Sequence, residues 1–284
     1  MRQRLIWSVV AIAAVIPAFG GTVSVNLGSA SSFGLLGGTI SNTGTSVVIG
    51  NVGATTTISG FYPTGTATGF VCTPTSAAPC TPGNDTAVTA AYSDFENAFN
   101  TAEADPSTQS FAGLTTSQTF LGNNVYLSTS SIVSSTTGIN LTFDAQSNSN
   151  AVFIIQIPEA LTVNGAMTFS LLNGAAADNI FWIVGTDATI SVGSSGPITF
   201  DGNILAGDAF TMSAGSGGSG VLAGTINGCV FAENANTLAG QTDVGGCSNY
   251  SNGGGSVPEP GTLTLLSMGL GVSFLLRRKF RPVR

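Results

Sequence analysis

The chain contains no histidine. That removes the commonest general base, every Ser-His arrangement and the usual nitrogen ligand of zinc. Cations are almost as scarce. All seven, Arg2, Arg4, Arg277, Arg278, Lys279, Arg281 and Arg284, sit at the two ends, and residues 5–276 contain neither lysine nor arginine. A body without cations cannot neutralise phosphates, which excludes nucleic acid as a partner. It also has no side-chain ion pairs, so its stability must come from apolar packing and strand hydrogen bonds. Charged residues make up only 7% of the 284. So little charge would suit a membrane protein, but between the two ends no apolar run is long enough to span a bilayer. Polarity comes instead from Ser, Thr, Asn and Gly. Thirteen of the fourteen acids, all but Glu259, lie in the body, which is therefore strongly anionic.

What the chain does have is a phrase said twice. NAVFIIQI (150–157), LTVNG (161–165) and MTFS (167–170) are followed in the same order by DNIFWIVG (178–185), ATISVG (188–193) and ITFD (198–201). The offsets are 28 residues from Phe153 to Phe181, 27 from Thr162 to Thr189 and 31 from Thr168 to Thr199. A period of that size marks a stacked repeat. Three short strand-like runs per period predict one coil of a three-sided β-solenoid, each coil burying its inward side chains on its neighbours. LTFD (141–144) aligns with MTFS and ITFD, and the Phe of each Thr-Phe pair is expected to point inward.

Residues 1–20 have the layout of a secretory signal: Arg2 and Arg4, a short apolar core from Leu5 to Ile16, and small residues at Ala18 and Gly20 before a cleavage point. The body is expected over 21–247. FGLLGG (33–38), TSVVIG (45–50) and TTTISG (55–60) are strand material for coils at one end of the solenoid. Cys72 and Cys80 flank a Pro-containing loop; Cys229 and Cys247 close the body. Four cysteines in an exported chain suggest two disulfides. Of the three connectivities, the local pairs Cys72–Cys80 and Cys229–Cys247 are the expected ones, each stabilising by about 2–3 kcal/mol. No cysteine spacing resembles a metal site.

One helix is predicted, over 85–104. Val88, Ala91, Tyr92, Phe95, Ala98, Phe99 and Ala102 recur at three- and four-residue steps. Asn84 or Asp85 can cap its start, and Asp105-Pro106 ends it. Twenty residues reach about 30 Å, the height of roughly six coils. The apolar stripe is expected to pack lengthwise on the solenoid.

The middle run of each period has the form T-x-S/N: Thr162-Val163-Asn164, Thr189-Ile190-Ser191 and Thr211-Met212-Ser213. The apolar residue should point inward and the two small polar ones outward. Stacked, these form an uncharged grid with about 4.8 Å between coils and about 6.7 Å along a strand. Each Thr sets a methyl beside a hydroxyl, which suits water held in an ice-like array.

The C-terminal end is a Gly/Ser linker (248–256) and a tail (257–284) with Pro258-Glu259-Pro260, an apolar run from Gly261 to Leu276, and the basic cluster Arg277-Arg278-Lys279. The tail resembles the PEP-CTERM sorting signal of Gram-negative bacteria. The resemblance implies transient membrane anchoring, cleavage by an exosortase, and a final place outside the cell, secreted or in the extracellular matrix, where exopolysaccharide is a further potential partner.

The body as a whole resembles the ice-binding proteins of the DUF3494 family, through LGSASSF (27–33), DAQ (144–146) followed by NAVFIIQI, NIFWIVG (179–185) and GNILA (202–206). The resemblance covers about 26–245. It implies an all-β-dominated fold, a discontinuous right-handed three-sided β-helix with one long helix alongside, and ice as the partner, bound by one flat face without cofactor, metal or catalytic residues. The family's loose T-A/G-x-T/N pattern adds Thr43, Thr45, Thr137 and Asn140 as candidates beside Thr162, Asn164, Thr189, Ser191, Thr211 and Ser213. A monomer is expected. The alternative function is a non-catalytic structural or adhesive protein of the polysaccharide matrix. A hydrolase would need two facing carboxylates. Asp144 and Asp201 alone hold matching repeat positions, and turn hydrogen bonds are their expected role.

Overall fold

The computed structural model describes residues 23–73, 80, 83–135, 138–192, 196–213 and 222–247. The predicted signal (1–20), the linker and the tail with its predicted membrane segment lie outside the described residues. Among the described residues, no helix is long and apolar enough to cross a membrane.

The strands are short and rich in Val, Ile, Thr and Phe, which suit a pleated surface. First come β1 (Phe33–Asn42), β2 (Val47–Val48), β3 (Asn51–Ser59), β4 (Thr66–Ala67) and β5 (Val71–Cys72). After helix α1 (Asn84–Ala104) follow β6 (Gln109–Phe111), β7 (Gln118–Leu121), β8 (Asn124–Ser128), β9 (Val133–Ser134), β10 (Ile139–Asp144), β11 (Phe153–Ile157) and β12 (Leu161–Asn164). Then come β13 (Met167–Leu172), β14 (Ile180–Val184), β15 (Ala188–Ser191), β16 (Ile198–Asp201) and β17 (Asn203–Ala206). The last are β18 (Ala209–Ser213), β19 (Leu222–Asn227), β20 (Val230–Ala239) and β21 (Gln241–Val244).

Pairing is parallel, and partners lie a coil apart in the chain. Three ladders result. The helix-side ladder runs β6-β8-β11-β14-β17-β20-β1-β3-β5, using the first halves of β20, β1 and β3. A second ladder runs β9-β12-β15-β18 and continues through the second halves of β20, β1 and β3. A third is split into β7-β10-β13 and β16-β19-β21-β2-β4.

The stacking order is not the chain order. β1 pairs with β20, with Leu35 opposite Val230 and Ser41 opposite Thr237. The first coils of the chain therefore dock beyond its last coil, and the register slips at a bulge between Gly37 and Thr39. Polar side chains are buried at this seam: Asn236 Nδ2 donates to the Leu36 carbonyl at 2.9 Å, and Ser46 Oγ to Asn42 Oδ1 at 2.8 Å.

Two apolar clusters flank the helix-side ladder. The inner one includes Phe120, Phe143, Phe153, Trp182 and Phe200; the outer one joins Val125, Ile154, Phe181, Leu205 and Phe231 to the buried stripe of α1. Each such side chain contributes roughly 1.5–3 kcal/mol. Burial on both sides explains a register on the helix-side ladder that differs from the expected one. Phe153 pairs with Ile180 and Ile154 with Phe181, so the helix-side offset is one residue shorter than the aromatic match suggested. Phe153 points into the solenoid and Phe181 towards the helix, because a slip of one residue reverses the face. In the third ladder Leu141 lies opposite Phe169 rather than Met167, two residues from the expected match. Phe143 and Phe200 are fully buried as expected, whereas Phe169 is only partly so.

Helix α1 starts one residue before the expected 85–104, ends at Ala104 as expected, and has Gly83 at its N-cap. Neither Asn84 nor Asp85 occupies that cap position. Asp85 Oδ1 instead accepts from the backbone of Gly83 and Thr86. Val88, Ala91, Phe95, Ala98, Phe99 and Ala102 are buried, and Asp105 turns extended to end the helix. The helix lies against β5, β3, β1, β17, β14 and β11. Asp94 fixes it to the LGSASSF turn by accepting from Ser29 N and Oγ at 2.7 and 2.6 Å. Both disulfides join the local pairs, Cys72–Cys80 and Cys229–Cys247. All three ladders, the helix and both disulfides lie among the described residues of 23–247.

Candidate functional site

The second ladder carries the most regular polar surface. Its strands alternate buried and outward residues: Leu161 and Val163 are buried, Thr162 and Asn164 face out. The same holds for Ala188 and Ile190 against Thr189 and Ser191, and for Phe210 and Met212 against Thr211 and Ser213. A strand covered on one face only forces this alternation.

In register, Thr162, Thr189 and Thr211 lie opposite one another on adjacent strands, and so do Asn164, Ser191 and Ser213. The T-x-S/N tripeptides of three coils are thus brought together. The column does not stop there. Ser134 precedes Thr162, and Thr237, Ser41 and Ser59 follow Thr211. Seven strands therefore present a hydroxyl at the same position, about 4.8 Å apart. Sequence reasoning missed these four residues. A signal was available in Thr39-Ile40-Ser41 and Thr57-Ile58-Ser59, which repeat the form of Thr189-Ile190-Ser191.

The polar band also steps sideways. Beside Ser41 and Ser59 the second column is Thr39 and Thr57, two residues earlier in the strand. Beside Thr162, Thr189 and Thr211 it is Asn164, Ser191 and Ser213, two residues later. Ala235 and Ala239 flank Thr237 in the strand between. The step falls at the seam between β20 and β1.

Among the described residues, no side-chain hydrogen bond within the protein engages the hydroxyls of Thr162, Thr189, Thr211 or Thr237. Ser191 and Ser213 bond each other at 2.9 Å. No charged residue lies in the strand segments of this ladder. The third ladder differs. There Thr168 and Ser170 both donate to Asn140 Oδ1, at 3.2 and 3.1 Å, and Asp243 accepts from the Val47 backbone at 3.1 Å. Asn140 thus belongs to a different surface from the Thr162 column. Thr43 and Thr45 sit on the turn after β1, where Thr43 Oγ1 reaches the Leu238 carbonyl and Thr45 Oγ1 reaches Gln241, both at 3.4 Å. Thr137 lies outside the described residues.

The carboxylates are dispersed. Asp144 accepts from Asn173 Nδ2 and Gln146 N, both at 2.8 Å, and these bonds hold its pKa below the usual carboxylate value. Asp201 accepts from Asn227 Nδ2 at 2.7 Å, yet burial pushes its pKa up. Asp144 makes the turn hydrogen bond expected of it, to the backbone two residues on, whereas Asp201 bonds across coils to the residue opposite it on β19. Among the described residues, no three His, Cys, Asp or Glu side chains could hold a metal ion together. A cleft by the end of α1, lined by Glu103, Leu127, Gln156, Ile157, Pro158 and Ile183, has one carboxylate.

A family model described as Ice-binding-like matches residues 35–243, and one described as a PEP-CTERM protein-sorting motif matches residues 256–279. An ice-binding protein of Nostoc sp. (strain HG1) is 32% identical over 266 residues, covering 90% of this chain and 87% of its own length. The crystal structure of an ice-binding protein from the Antarctic ascomycete Antarctomyces psychrotrophicus is similar at a TM-score of 0.63 and 31% identity, covering 78% of this chain and 98% of that one. An ice-binding protein from an Arctic yeast, described for its antifreeze activity, gives a TM-score of 0.65 at 27% identity, covering 78% and 94%.

Proposed function

We propose that this chain, which belongs to the Ice-binding-like family, adsorbs to ice through the outward face of its second ladder and restrains ice growth or recrystallisation. The observation that carries the choice of face is the column Ser134, Thr162, Thr189, Thr211, Thr237, Ser41 and Ser59, with no charge in its strands. Hydroxyls repeating at strand spacing can each replace a water of an ordered lattice, and the Thr methyls limit competing hydrogen bonding. A charge would orient water radially around itself instead. Each contact is weak, and a rigid array makes many at once.

The three ladders are the sides of a right-handed β-helix of triangular section. Right-handed crossover is the strong rule for parallel strands. The face works without catalysis, as the dispersed acids and the lack of histidine favour. The PEP-CTERM motif marks the chain for export to the cell surface or beyond, where ice is encountered.

The test is to express residues 22–256 with both disulfides formed and to watch ice crystals grow in a dilute solution. Faceted or arrested crystals, with a gap between melting and freezing, are expected. Round crystals growing freely in a solution of folded protein would reject the proposal.

A further inference from the structure

The chain enters and leaves the solenoid at the same corner, and that corner is the one opposite the hydroxyl face. Each coil passes from the third ladder to the helix-side ladder and then to the hydroxyl ladder, as in β10, β11 and β12. The last strand, β21, belongs to the third ladder. Beyond it Gly245 N and Gly246 N donate to the carbonyls of Ile226 and Gly228, at 2.7 and 2.9 Å, on the turn that leads from β19 into the helix-side half of β20. Cys247 is then bonded to Cys229, which begins that turn's exit, and both cysteines are buried under the outer apolar cluster. The disulfide pins the exit there. At the other end, Val25 and Leu27 pack in the same cluster, and β1 starts directly on the helix-side ladder. Of the three ladders, only the hydroxyl-bearing one does not meet this corner.

The level along the stack matters too. The exit lies beside β20 and β1, inside the stack rather than at one of its ends. A tether at that point holds the solenoid by its flank, with the hydroxyl face turned outward. The stretch from 248 to 256 spans about 30 Å at full extension. To reach the hydroxyl face it would have to pass a full strand length of about 17 Å and then turn a far corner.

Resting on the ice reading above, we propose that the protein binds ice while still attached through its C-terminal end, and so acts as a holdfast joining ice to the surface that carries it. The sorting motif at 256–279 supplies that attachment, either as the uncleaved tail or through the new end left by processing.

The experiment couples residues 22–256 to latex beads through a tag placed after Ser256 and counts the beads that stay on an ice surface under washing just below its melting point. The same preparation, uncoupled, is tested for its effect on ice growth. Retention should exceed that of beads carrying Thr189→Tyr by roughly tenfold or more, since many tethered copies act together. A Gly/Ser insertion that doubles the 248–256 stretch should leave retention unchanged. If the free protein arrests ice growth but the coupled beads wash away like the variant, and the longer stretch restores them, the tether covers the face and the holdfast role is wrong. A free protein without effect on ice removes the ice reading, and this inference with it.

Discussion

Gln156 Nε2 donates to the carbonyl of Ala102 at 2.7 Å, to that of Asp105 at 2.8 Å and to that of Glu103 at 3.2 Å. A helix ends with carbonyls that lack partners. Basic side chains often serve them, and α1 has none in its last turn. An amide from β11 does so instead, and thereby fastens the helix end to the solenoid. Gln156→Leu should cost about 1–3 kcal/mol, because it leaves buried acceptors unpaired. The urea midpoint should fall and amides near 102–105 should exchange faster, with ice activity unchanged. An unaltered midpoint would mean that water replaces the amide without loss.

The face itself is tested by residues the tripeptide pattern did not contain. Thr237→Tyr should impair ice activity as severely as Thr189→Tyr, since the two hydroxyls lie in one column on either side of Thr211. Asn140→Tyr, on the third ladder, should leave activity intact. Each variant should keep its melting temperature within a few degrees, as surface substitutions usually cost under about 0.5 kcal/mol. The opposite ranking in a recrystallisation assay would move the site to the third ladder.

Alkaline stability should be limited by Tyr92. Its hydroxyl donates to the Glu233 carbonyl at 2.7 Å, and burial first, then Glu96 and Glu233, push its pKa from 10.0 up to about 12. A group with a raised folded pKa contributes stability that is complete below its unfolded value and is lost as pH rises through the folded one. The loss therefore falls between pH 10 and about 12. Tyr92→Phe should be less stable by about 1 kcal/mol at neutral pH through the missing hydrogen bond. That deficit should narrow across the same alkaline window in urea titrations. A constant deficit would show that Tyr92 ionises equally in both states.

Mild acid should act in the other sense on Glu233. Burial, followed by Glu96, Glu103 and Asp208, raises its pKa, so its contribution is fullest at low pH and is lost as pH rises through its folded value. Asp144 opposes this, its lowered pKa making its contribution fade as pH falls. Glu233→Gln should raise stability at neutral pH and lose that advantage towards pH 4, by thermal melts. A gain that persists at pH 4 would point to packing instead of charge.

The two disulfides should differ in weight. Cys229–Cys247 closes 18 residues and Cys72–Cys80 closes 8. Replacing Cys229 and Cys247 together by Ser should cost about 3 kcal/mol, and replacing the other pair somewhat less. Denaturation with and without reductant would decide, and equal losses would show that loop length is not the main factor.

The parts legible in the sequence are those whose pattern is local. Leu161 to Asn164 alternates because one face is buried, so its polar residues can be assigned to the outside directly. The stripe of α1 is legible for the same reason, with helical spacing. Phe153 to Ile157 and Ile180 to Val184 are buried on both sides, so they carry no alternation and matching their aromatics misplaces the register by one. In the third ladder, Leu141 and Phe169 share no side-chain identity that would announce their pairing.

Composition and short motifs alone were enough to show a body without histidine, lysine or arginine, to place a long helix after a pair of cysteines, and to mark a Thr-bearing face on three coils. Which coils share that face was decided in three dimensions. Residues 39–42 stack on 235–238 across nearly the whole chain, and this docking lengthens the column to seven strands and moves its neighbouring column to the other side of it. A repeat period describes how each coil meets the next one in the chain. It has no term for a contact in which the first coils follow the last, because that order depends on two finished halves offering each other complementary strand edges and buried side chains.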